Sequence, residues 1–216
     1  RPELDQIPGA CRNWFSVQRW VDVSNDRCGI TWMTPDAPLV QVGGITANLI
    51  GSQSDPEAWI GHLEPSQTLY SWVMNNHWHT NYRSDQEGPT VFRFYLVPHR
   101  GGFDAAEVAR VSQDLAQPAL GCAARGELPA QPCVRVDQVS GADHVQVTTL
   151  KPSEDGKAWI VRLFGASGKV SQIRLSWSAP GPQSVWLSDN SERPMARVSG
   201  PIEVPAWGIV TVRAER

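Results

Sequence analysis

Short alternations of apolar and polar residues, each stopped within a few positions by Asn, Asp, Gly or Pro, restrict this chain more than any other feature. Across 14–23, Phe15, Val17, Val21 and Val23 recur at every second position with Arg19 between them, the period of a strand with a buried face. Trp14 and Trp20 fall on the opposite side. Both faces therefore carry bulky apolar groups, the pattern of a sheet covered on both sides. Further strands are predicted at 29–34, 38–42, 45–50, 68–74 and 90–97. Ser24-Asn25-Asp26, Thr34-Pro35-Asp36 and Gly43-Gly44 separate them with side-chain acceptors, a fixed φ or freedom for positive φ.

One stretch reads as a helix. Asp104 is placed to cap it with Glu107 three residues on, and Val108, Val111 and Leu115 follow on one narrow stripe. From 117 to 132 the chain turns rich in Ala, Pro and Gly without periodicity, which reads as a connector. Strands resume at 133–139, 144–150, 158–164, 170–177, 184–187 and 207–213, with Ser153-Glu154-Asp155-Gly156 as a turn, the spacing of a small sandwich. The expected fold class is all-β: two antiparallel β-sandwich domains, 1–125 and 126–216, with one short helix. With 17 Pro, 18 Gly and ten Trp, the composition suits short strands joined by turns.

Charge and hydropathy exclude several partners. A net charge of −3 without a Lys/Arg block leaves no footprint for nucleic acid or an anionic membrane. No window approaches the ~18 apolar residues of a membrane span, and Arg1 to Gln6 is too polar to open a signal peptide. Cys11, Cys28, Cys122 and Cys133 show no C-x-x-C spacing. They read as free thiols in a reducing compartment, hence a cytoplasmic setting, with a Cys122 to Cys133 disulfide as the alternative.

The richest chemistry lies in Met74-Asn75-Asn76-His77-Trp78-His79-Thr80-Asn81-Tyr82-Arg83. Few cores accept that density of amides and imidazoles, since each needs a partner when buried, so a loop or strand end facing a polar cleft is expected. Extended, Asn75, His77 and His79 share a face. Two imidazoles fall short of the three or four ligands of a zinc site, and no nearby residue completes a recognised spacing, so no metal is expected in this chain. Aromatic rings beside amides also suit a sugar, whose apolar face stacks on a ring while amides meet its hydroxyls. A satisfied polar cluster at a domain interface fits the same composition. Asp85 and Glu87 are near enough to suggest the carboxylate pair of a glycosidase, but Gly88-Pro89 beside them marks an ordinary turn. No phosphate loop, nucleophile elbow or His-Glu-x-x-His metalloprotease motif occurs. Most tryptophans should be core anchors, with Trp59 and Trp78 the ones to find exposed.

Several motifs in order resemble the C-terminal β region of glycoside hydrolase family 38 α-mannosidases, especially bacterial members. They are Val17-Gln18-Arg19-Trp20-Val21-Asp22-Val23-Ser24, Ala37-Pro38-Leu39-Val40, Gly43-Gly44-Ile45-Thr46, and the Asn75 to Tyr82 motif with Gln86-Glu87-Gly88. Toward the end, Lys151-Pro152-Ser153-Glu154-Asp155-Gly156, Ile160-Val161-Arg162-Leu163-Phe164 and Pro205-Ala206-Trp207-Gly208-Ile209-Val210-Thr211 are similar to the terminal small sandwich of those enzymes.

The resemblance implies a multidomain parent: an N-terminal barrel holding zinc and a carboxylate nucleophile, a helical bundle, then β-sandwiches. The barrel is not in this sequence. Retaining hydrolysis of terminal α-linked mannose is implied for the parent, with this chain non-catalytic, carrying no cofactor, and partnered by the parent's own barrel and helical domain and by a mannose-containing oligosaccharide. The resemblance further implies a loop reaching the barrel's sugar pocket, with Asn75, Asn76, His77, Trp78, Asn81 and Tyr82 as its substrate-binding residues; some relatives carry an arginine where this chain has Asn76-His77-Trp78. From the residues alone, an independent carbohydrate-binding module or a pure assembly domain stays open.

Overall fold

The computed structural model describes residues 6–46, 59–74, 83, 85–119, 121, 123, 126, 133–140 and 144–216. The chain is all-β with a single helix among these residues, and it divides into two compact units, Arg1–Phe103 and Asp104–Arg216.

The first unit carries β1 (Phe15–Ser16), β2 (Trp20–Ser24), β3 (Cys28–Met33), β4 (Leu39–Val42), β5 (Leu69–Ser71) and β6 (Tyr95–Arg100). They form two antiparallel three-stranded sheets, β1-β4-β5 and β2-β3-β6. The single strand expected at 14–23 is broken in two. The Val17 amide donates to Pro38 O at 2.7 Å while Arg19 O accepts from the Thr34 amide at 2.7 Å, so the chain leaves one sheet and enters the other within 17–19. The 45–50 strand falls mostly outside the described residues. The 68–74 strand shrinks to β5, with the Trp72 amide adding one bond to Leu39 O. The 90–97 strand starts late, at Tyr95, because Arg93 is tied elsewhere: its amide and guanidinium both donate to Asp36, each at 2.8 Å. Asn25 turns β2 into β3 as foreseen, its side-chain oxygen accepting from the Arg27 and Cys28 amides.

Much of what the first unit buries is polar. Met33, Ala37 and Val40 lie beside Arg12, Asn13, Thr31, Thr34 and Gln41. Asn13 accepts from the Ile60 amide at 3.0 Å and donates to Thr46 O at 3.4 Å, while Gln41 accepts from the Thr46 amide at 3.0 Å. Such amides hold loop backbone that has no ladder partner.

The second unit opens with α1 (Ala105–Ala116), capped by Asp104, whose carboxylate accepts from the Ala106 and Glu107 amides. Glu107 turns outward to pair with Arg110 instead of reaching back to the cap. The sequence placed the domain boundary after this helix, at 125/126; the contact division sets α1 with the second unit. Then follow β7 (Val134–Ser140), β8 (Val145–Pro152), β9 (Ala158–Gly165), β10 (Ser171–Trp177), β11 (Ser184–Ser188), β12 (Pro194–Arg197), β13 (Ile202–Val204) and β14 (Ile209–Glu215). They form an antiparallel five-stranded sheet, β12-β11-β14-β9-β8, and a three-stranded one, β13-β10-β7. Val161 and Leu163 of β9 with Val212 of β14 meet Ile173 of β10 and Ile202 and Val204 of β13, all buried. Each such side chain stabilises the fold by roughly 1.5–3 kcal/mol. Packing is close enough that a Cβ on Gly165 would strike the carbonyl oxygen of Pro205, so only glycine fits there.

Candidate functional site

Asn75, Asn76, His77, Trp78, Asn81 and Tyr82 lie outside the described residues, so the site is framed by what flanks it. β5 leads toward it from the β1-β4-β5 sheet. Just past β5, Trp72 stacks edge-on against Trp14 at 5.4 Å, and its indole N–H donates to Met74 O at 2.7 Å. The backbone is thus anchored by two rings up to the residue before Asn75. On the far side Arg83, Asp85 and Glu87 are exposed, Gly88 takes φ 94°, and the Gln86 amide donates to Thr90 Oγ1 at 3.3 Å. Asp85 and Glu87 therefore sit as solvated turn carboxylates.

A dense polar constellation among the described residues of the first unit has no signal in the local sequence. Asp22, on β2, accepts from Ser24 Oγ at 2.6 Å and Thr31 Oγ1 at 2.6 Å, with His99 Nε2 2.9 Å away on β6. Burial pushes the Asp22 carboxyl upward, but the hydrogen bonds from Ser24, Thr31 and His99, with the histidine's charge, outweigh it and hold the group below the usual carboxylate range. Its side chain is 6% exposed and bonded to residues of β2, β3 and β6, so it braces the sheet. Gly29 makes room for the pair, since a Cβ there would lie 2.6 Å from the His99 ring. His99 and Asp22 are 77 positions apart, a separation no local pattern shows. A second pair, Asp36 with Arg93, is exposed; the Arg93 guanidinium and amide lower the Asp36 pKa to about 2.

Beside β3 opens a cleft of about 560 Å³ lined by Val23, Ile30, Trp32, Leu69 and Leu96, with Cys28 and Gln67 among its polar members. In the second unit a charged cluster lies on the outer face of the five-stranded sheet. Arg213 bonds Asp155 at 2.7 Å, and Lys151 bridges Glu154 at 2.6 Å and Glu192 at 2.7 Å. These pairs join β8, β14 and the turns beside them. Trp207 stands 53% exposed at φ 55°, and Trp59 is exposed at 40%. Among the described residues no three His, Cys, Asp or Glu side chains come together to hold a metal ion. No helix of the described residues is long and apolar enough to cross a membrane.

Residues 144–212, which span β8 to most of β14, match the family model for the Glycosyl hydrolases family 38 C-terminal beta sandwich domain. The terminal sandwich is thus similar to that family 38 domain. The rest of the chain joins it by fold. An alpha-mannosidase from Enterococcus faecalis V583 superposes with TM-score 0.56 at 15% identity, over 94% of this chain and 21% of its own. A second Enterococcus faecalis structure, a protein in the Glycosyl Hydrolase Family 38, does so with TM-score 0.57 at 15% identity, over 94% of this chain and 23% of its own. The family 38 likeness thus reaches across both units as a likeness of fold, and the chain spans about a fifth of the length of those structures. A search of curated proteins finds no match to the chain.

Proposed function

We propose that this chain is the non-catalytic C-terminal β region of a retaining α-mannosidase, which removes terminal α-linked mannose from oligosaccharides. In this reading it seats the parent's catalytic barrel and helical domain and offers the 75–82 segment, with Asn75, Asn76, His77, Trp78, Asn81 and Tyr82, to the sugar pocket. The observation that carries it is the family 38 match over 144–212 inside a fold likeness that runs through nearly the whole chain. Asp22 is engaged by Ser24, Thr31 and His99, and Asp85 and Glu87 are exposed, which suits a supporting role beside a barrel that supplies the hydrolysis and the zinc. The free thiols Cys11, Cys28 and Cys133 suit a reducing, cytoplasmic setting.

Hydrolysis of an aryl α-mannoside tests the reading. The 216-residue chain should be inactive with or without zinc, and the polypeptide extended by its upstream coding sequence should be active. In that extended protein Asn76→Ala and Tyr82→Ala should lower kcat/KM at least tenfold. Hydrolysis by the short chain would overturn the non-catalytic assignment, and mannoside binding by the short chain alone would favour an independent binding module.

A further inference from the structure

The β2-β3-β6 sheet is finished on one side only. Its inner face holds Thr31 and Met33, both 1% exposed, and the Asp22–His99 pair. On the other side the register lines up Val21, Trp32 and Leu96 in one row and Val23, Ile30 and Pro98 in the next. An antiparallel sheet with one face in water ordinarily turns polar residues outward. Here the outward row is apolar, with Leu96 70%, Ile30 48% and Phe94 41% exposed, and Phe94 leaning on Trp32 at 5.7 Å. The cleft of about 560 Å³ beside it continues the patch to Leu69, and none of the described side chains that line it is charged.

We propose that this face seats a further stretch of the same polypeptide, an uncharged apolar segment lying outside the 216 residues; the inference rests on the family 38 reading above. Three observations select that occupant. The alternation on β2 carries bulky apolar groups on both faces, the mark of a sheet covered twice. The described lining residues, all uncharged, give a charged peptide or an anionic ligand nothing to pair with, and burying a charge against them would be costly. The solved chains that share the fold extend roughly four-fifths of their length beyond the matched part, so additional polypeptide is covalently at hand in proteins of this build. A tethered segment meets the face at a roughly millimolar effective concentration, whereas a free second copy must also offset lost translational freedom.

Cys28 is exposed and lines the cleft, and so reports its occupancy; Cys133, exposed in the second unit, is the internal reference. The measurement is the rate of labelling of both thiols by a bulky maleimide, read by peptide mass spectrometry, in the 216-residue chain and in the polypeptide extended upstream. Cys28 should react at least tenfold more slowly in the extended protein with Cys133 unchanged. Leu96→Asp or, if that variant folds poorly, Leu96→Ser should restore the fast rate. Equal Cys28 rates in the two proteins overturn the proposal, as does protection in the short chain that grows with its concentration, which would make a second copy the occupant. Mannoside hydrolysis on the same samples separates the two ideas. Protection without hydrolysis keeps the seat and removes the mannosidase reading, while hydrolysis without protection removes the seat alone.

Discussion

In the second unit Ile160, Val161, Leu163, Ile173, Val204, Val212 and Ala214 are shut away from solvent between or along two sheets; in the first, Met33, Ala37 and Val40 are the buried apolar residues among those described, and Arg12, Asn13, Thr31, Thr34 and Gln41 are buried with them. Ile30, Phe94 and Leu96 face water instead. Burial of apolar area is the dominant favourable contribution to folding, while a buried amide contributes little net even when fully bonded. The second unit therefore holds itself together by packing. The first is held by turns, loop clamps and hydrogen-bonded side chains, and leaves a sheet face for another element to complete. That the family match falls wholly within 144–212 agrees with this contrast, because a closed core constrains residue types at many positions at once.

The contrast is open to breaking, most forcefully by truncating matched side chains. Leu163→Ala should destabilise the second unit by ~2–5 kcal/mol in urea unfolding, whereas Leu96→Ala on the open face should stay within ~0.5 kcal/mol. Comparable costs at the two sites would mean that the open face is closed in solution. Glycine substitutions should have a smaller effect in both units. Gly165→Ala drives a Cβ against the Pro205 backbone and should cost ~1–3 kcal/mol, seen as a lower Tm. Gly29→Ala drives its Cβ against the Ser24 Cβ as well as to 2.6 Å from the His99 ring; it should cost a comparable amount and also displace the histidine, so the His99 imidazole NMR shifts should change. Acid should give the mildest effect. With its carboxyl pKa depressed in the fold, Asp22 contributes stability that is present above the ordinary value of 3.8 and is lost as pH falls through the folded value. The Tm of the chain should thus decline as pH falls below about 4, and Asp22→Asn should start lower and decline less. A parallel decline in the variant would assign the acid sensitivity to other carboxylates.

Legibility followed the same division. Strands at 158–164, 170–177 and 184–187 are readable because short apolar runs or alternations there are bounded by turn residues, and the Asp104 cap marks the start of α1. β12 and β13 passed unnoticed: β12 is fully exposed, begins on Pro194 and has no apolar period, and β13 is only three residues long. In the first unit, alternation through Phe15 to Val23 hid a change of sheet, since period two says which way side chains point and nothing about which partner the backbone bonds. The late start of β6 depends on Asp36, 57 positions from Arg93, and the bracing of Asp22 by His99 is equally non-local. The candidate sugar segment was visible as a run of amides, imidazoles and aromatics, a signal of composition that carries no geometry.

The passage at 17–19 also acts on assembly errors. β1 and β2 are consecutive in the chain yet ladder in different sheets, with only Val17, Gln18 and Arg19 between them. Three residues span at most about 10–11 Å, so no slack exists to absorb a slip. If β1 slid along β4 by one position, β2 would be pulled along β3 as well, and both would present their alternating side chains to the wrong faces. A misregistered intermediate would have to be wrong in two places together, so a correct ladder in either sheet proofreads the other.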